Sequence, residues 1–200
     1  MGKAGLLDLE RHFSFYGAYH SNPINILIHT LFVWPIAFFI LVPLYFSPAL
    51  IDFPSGFDSI GRGVLVLNMG FVLTLLYGLF YIAMDKRAGS LAALFCFLCW
   101  VGASFLASSL GYSLAWKVSL VAQFVCWTGQ FIGHGVFEKR APALLDNLVQ
   151  AFLMAPLFVL IEGLQMLFDY EPYPGFRAKV ELRIATEIKE WQEKKQKKVS

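Results

Sequence analysis

Ser90-Leu91-Ala92-Ala93-Leu94-Phe95-Cys96-Phe97-Leu98-Cys99-Trp100-Val101-Gly102-Ala103-Ser104-Phe105-Leu106-Ala107-Ser108-Ser109-Leu110 contains no charged side chain. At about 1.5 Å per helical residue, the run is long enough to cross a hydrocarbon core of about 30 Å. Gly111-Tyr112-Ser113 turns it into a second apolar run, Leu114 to about Val136. Lipid offers no water to unpaired peptide groups, so runs of this kind fold as helices. Two further spans precede the pair: Pro23 to Phe46, ended by Pro43 and Pro48, and Val64 to Met84, followed by Asp85-Lys86-Arg87. With 58% hydrophobic and only 15% charged residues and a mean hydropathy of +0.61, the chain falls outside the range of soluble domains. The fold expected is an all-α polytopic membrane bundle of four transmembrane helices.

Two segments flank this bundle. Leu6, Leu9, Phe13 and Tyr16 recur at helical spacing opposite Asp8, Glu10 and Arg11, which predicts an amphipathic helix lying along the membrane surface. Asn22 caps the next helix, and Pro23 opens it. No small-residue cleavage site follows the first span, so the amino terminus is expected to be retained. The fifth hydrophobic segment, Leu144 to Phe168, carries Asp146, Asn147, Gln150 and Glu162, with Pro156 near its centre. It reads as two half-helices that dip into the membrane and return, with a single crossing as the alternative.

The return would place Lys3, Arg11, Lys86, Arg87, Lys139, Arg140 and the tail on one side, with both termini cytosolic. The loop Ser47 to Gly61, which lacks Lys and Arg before Arg62, then lies in the lumen. The domain reading is one membrane-embedded catalytic domain, 1–176, and a charged cytosolic tail, 177–200. The ending Lys197-Lys198-Val199-Ser200 has the form of a dilysine retrieval signal of the endoplasmic reticulum. Cys96, Cys99 and Cys126 lie within spans and read as packing residues. The net charge is only +2, no phosphate-binding glycine loop occurs, and no nucleic-acid partner is expected.

The chemistry lies in the polar residues of these spans. Three of the four histidines, His20, His29 and His134, fall where apolar helices meet water. Asn22, Asn25 and His29 form one stripe on the first span, and Gln123, Gln130, His134 and Glu138 form another on the fourth, so both stripes face inward. Glycines flank His134 and permit close approach. His134 and Glu138, one helical turn apart, can offer two ligands to one metal, and a further histidine from the first hairpin would complete a facial set for which iron(II) is the best match. His12 stands about 12 Å along a continuous helix from His20 and is left out. Asn25 and Glu138 are the candidate catalytic side chains. Lys139 and Arg140 could attract a substrate carboxylate or serve only topology.

Tyr19-His20-Ser21-Asn22-Pro23-Ile24-Asn25 with His29, Gln130-Phe131-Ile132-Gly133-His134-Gly135-Val136-Phe137-Glu138-Lys139-Arg140, the run from Arg140 to Gln150 and Met154-Ala155-Pro156 closely resemble the fungal 2-hydroxy fatty acid dioxygenases. That resemblance implies an endoplasmic reticulum membrane oxidoreductase using Fe(2+) held by His20, His29 and His134. Its substrates would be a 2-hydroxy fatty acid and O₂, and α-oxidation would shorten the acid by one carbon in phytosphingosine degradation, a branch of sphingolipid metabolism. The competing readings are a haem-binding membrane protein and a non-enzymatic lipid-binding or scaffolding protein, in which the polar residues only join helices. A di-iron centre would require more histidines than the chain has.

Overall fold

The computed structural model describes residues 5–50, 64–141 and 148–199. Most of the lumenal loop expected at 47–61, the pair Asp146 and Asn147, and the terminal Ser200 lie outside them. The described residues form helices: α1 Leu9–Ala18, α2 Pro23–Leu44, α3 Met69–Met84, α4 Lys86–Ile132, α5 Ala155–Phe168 and α6 Phe176–Val199. A π-helical turn, Gly133–Glu138, follows α4, and another, Gln150–Met154, precedes α5. The all-helical membrane bundle read from the sequence is the fold observed. The chain divides into two compact units, Leu31–Gln130 and the combination of Met1–Thr30 with Phe131–Ser200.

In the unit 31–130, α4 is a hairpin. Gly111 adopts φ 71° and ψ 165°, a conformation that L side chains avoid, and one residue therefore breaks the helix where a three-residue turn was expected. Phe95 meets Trp34 and Gly102 faces Phe38 on the first limb, whereas Ser119, Gln123 and Gly129 meet Phe39, Ile36 and Phe32 on the second. The two limbs thus run in opposite directions along α2. Small residues allow this approach: Ala103, Ala107 and Ala115 pack around Leu41, Val42 and Trp100.

Pro43 has no N–H to give the carbonyl of Phe39, and the Ser119 hydroxyl donates to that carbonyl instead. Gln123 donates to Ile36 O at 2.9 Å, so this member of the polar stripe joins helices. Leu120, Val121, Phe124 and Val125 are exposed while Ser119 and Cys126 are buried, the arrangement of a helix with its apolar face toward lipid. The second span starts at Met69 and not at Val64, because Asn68 Oδ1 accepts from the N–H groups of Gly70 (3.0 Å) and Phe71 (3.3 Å) and fixes the helix start there.

In the unit formed by 1–30 and 131–200, Asp8 caps α1, and Leu9, Phe13 and Tyr16 supply its buried face. Phe158 of α5 and Phe176 of α6 pack on Phe13 at centroid distances of 5.5 and 5.6 Å. Pro156 does not produce two half-helices. The chain passes from the π turn directly into α5, with Pro156 in its first turn, where the missing N–H would have had no ordinary α-helical partner. The stretch read as a charged tail is α6, which packs on α1: Phe176 and Val180 are buried, and Arg183 pairs with Glu10 at 2.7 Å.

Candidate metal centre

Three short pieces of backbone bring the histidines together. Tyr19 ends α1, and the non-helical stretch 20–22 carries His20 before Pro23 starts α2. His29 lies on the first turns of α2. His134 comes from the π turn, whose wider spiral departs from the α-helical register and is often found at functional sites. The ring centroids are 4.2 Å apart for His20 and His29, 5.0 Å for His20 and His134, and 4.8 Å for His29 and His134. All three residues are buried, and one nitrogen from each lies within 4.8 Å of the others. Asn25 Oδ1 occupies the space a Cβ at residue 133 would need, so Gly133 is required for close approach, whereas Gly135 faces open space.

The hydrogen bonds leave lone pairs available. His20 Nδ1–H donates to Tyr16 O at 2.7 Å and His29 Nδ1–H to Asn25 O at 3.0 Å, which leaves Nε2 of each ring unprotonated. His20 Nε2 and His134 Nδ1 are buried with no hydrogen-bond partner among the described residues. Burial, together with the neighbouring His29 and His134, holds His20 well below its ordinary pKa and therefore neutral. Buried polar atoms without partners are costly, and three neutral imidazoles with converging nitrogens form the donor set that a first-row divalent cation takes. The residues fit an iron ion.

Asn25 and Glu138 lie beside this trio in a different role from the metal-ligand pairing that the His134–Glu138 spacing suggested. The carboxylate of Glu138 accepts from Ser21 N (3.0 and 3.1 Å), Asn22 N (3.0 Å) and Asn25 Nδ2 (3.0 Å). It thereby ties the stretch carrying His20 to the start of α2. Asn25, fully buried, also donates to Tyr19 O at 3.3 Å.

Arg140 donates to Ala18 O at 2.6 Å, and its guanidinium carbon lies 3.5 Å from the centroid of the Tyr19 ring. Lys139 is exposed, at φ 55°. His12 pairs with Gln150 Nε2 at 2.9 Å and is not in the trio. Tyr16 and Glu162, read in the sequence only as a face of the first helix and a polar residue of the fifth segment, are joined here. The Tyr16 ring stacks on His20 at 4.0 Å and 20°, and its O–H donates to Glu162 Oε2 at 3.1 Å, across 146 residues of chain. Burial, reinforced by Glu162, raises the Tyr16 phenol well above its ordinary pKa, so it stays a donor.

The family model described as Mpo1-like, 2-hydroxy-palmitic acid dioxygenase Mpo1-like, matches residues 6–167. The protein 2-hydroxy-palmitic acid dioxygenase MPO1 of Saccharomyces cerevisiae (strain ATCC 204508 / S288c) is 34% identical over 177 residues, which cover 88% of this chain and 90% of that one. No solved structure matches the chain. The match contains all three buried histidines and both polar signatures, and the chain belongs to the Mpo1-like family.

Proposed function

We propose that this membrane protein is a 2-hydroxy fatty acid dioxygenase that carries out α-oxidation with iron(II) held by His20, His29 and His134. The observation that carries the metal assignment is the buried trio, with nitrogens within 4.8 Å of one another, in a member of this family. The reaction balances without an external reductant: a 2-hydroxy acid and O₂ yield the acid shorter by one carbon, carbon dioxide and water. When bound, the iron supplies a chelation point for the substrate's carboxylate and hydroxyl and a route for electrons to oxygen.

The chain's own residues do the rest. Tyr16 O and Asn25 O fix the tautomers and orientations of His20 and His29. Glu138 and Asn25 hold the His20 stretch against α2. Lys139, exposed next to the π turn, is the cation available to attract a fatty-acid carboxylate, since the Arg140 guanidinium is already engaged. The test is iron analysis of the purified protein paired with turnover. One O₂ consumed and one CO₂ released per shortened acid are expected, and turnover unaffected by complete iron removal would exclude the metal reading.

The proposal includes an endoplasmic reticulum location, a role in phytosphingosine degradation and cytosolic termini. Support for the topology comes from the fifth segment. Gln150 within it bonds His12, and past Phe168 the Tyr173 hydroxyl donates to Glu10. Gln150 and Tyr173 therefore meet the same stretch of α1, and with α1 lying along the membrane surface these two residues share one side. A glycosylation acceptor attached after Ser200 should remain unmodified, whereas its modification in the lumen would mean that the segment crosses.

A further inference from the structure

We infer that α6 belongs to the metal centre and that Trp191 and Arg140 are positioning residues for His20. The inference rests on the iron reading above and goes beyond it, because α6 lies outside the residues matched by the family model. Phe176, Val180, Ile184 and Trp191 recur at helical spacing on one face of α6. Phe176 and Val180 are buried, and Ile184 lies against Gly17, where a Cβ would overlap its Cδ1. Glu10 secures the same face by accepting from Tyr173 and pairing with Arg183.

This docking carries the far end of α6 to the metal centre. The Arg140 guanidinium carbon is 5.1 Å from the Trp191 ring centroid and 3.5 Å from that of Tyr19, so two aromatic rings share one cation. Arg140 also donates to Ala18 O at 2.6 Å. Ala18 and Tyr19 are the two residues immediately before His20. The short stretch presenting His20 is thus held from one side by Glu138, through the amides of Ser21 and Asn22, and from the other by Arg140. Trp191 keeps Arg140 in place through its ring face, a contact that needs the planar guanidinium; a lysine ammonium would supply charge without the stacking or the fork of donors.

The test uses the full-length protein in detergent, cobalt(II) as the probe, and no substrate. Trp191→Ala and Arg140→Lys should each weaken cobalt(II) binding by about 10–100-fold, the usual loss when a group behind a metal ligand is removed. Amide hydrogen exchange across 17–22 should accelerate in both. Trp191→Phe, which keeps an aromatic face, should stay within a few-fold of the parent. If Trp191→Ala does not accumulate as folded protein, Arg140→Lys reads the same clamp. Unchanged cobalt(II) affinity in Arg140→Lys, with or without faster exchange, overturns the positioning role. A parent protein that binds no metal while both variants still loosen 17–22 would overturn the iron reading and leave the clamp standing.

Discussion

Replacing any one of His20, His29 and His134 by alanine is expected to abolish turnover and to weaken iron binding by more than the roughly 10–100-fold lost when only a supporting group is removed. The three rings converge from separate pieces of backbone, and no other group of three or more His, Cys, Asp or Glu side chains with such spacing occurs among the described residues. His12→Ala is the control. It removes the hydrogen bond to Gln150, worth about 1 kcal/mol, and leaves the trio intact, so iron content should be unchanged. Metal analysis of the purified variants checks this, and full iron occupancy in His29→Ala would remove that residue from the ligand set.

Glu138→Ala is expected to have the next largest effect, through position and not through proton transfer. Three donor groups, on Ser21, Asn22 and Asn25, would lose the carboxylate they share. Hydrogen bonds to a charged group contribute about 1.5–3 kcal/mol, so the loss should be about 3 kcal/mol or more of stability. Glu138→Gln, which keeps one acceptor oxygen, should fall between the parent and the alanine variant. Thermal unfolding measured alongside iron affinity and kcat separates the two roles. For a positioning residue all three decline together along the series, whereas a Gln variant with full iron and parental stability but no turnover would make Glu138 a catalytic residue.

Much of this arrangement is legible along the chain because it depends on neighbours in sequence. An uncharged run such as 90–110 becomes helix wherever backbone groups must pair internally, and polar stripes such as Asn22, Asn25 and His29 turn away from lipid because helical spacing puts them on one face. Those local rules were enough to single out three histidines and to leave out His12. They do not reach the path of the fifth segment. Pro156 reads as a break in isolation, yet the preceding π turn removes the conflict between its ring and the helix.

The same limit applies at Glu138. Its i, i+4 spacing from His134 brings it near the trio, but that its carboxylate is taken up by Ser21, Asn22 and Asn25 depends on which chain segments the fold brings against it. The Tyr16–Glu162 bond and the placement of Arg140 between Tyr19 and Trp191 have no periodicity to reveal them. They join residues brought together by the folding of α1, α5 and α6 into one unit. Hydropathy and helical period are local properties, so the helices, the membrane setting and the three histidines where apolar helices meet water can be read along the chain. Which side chains hold those histidines in place cannot be read so, because a hydrogen bond or ring contact depends on distance in space and not on separation along the chain.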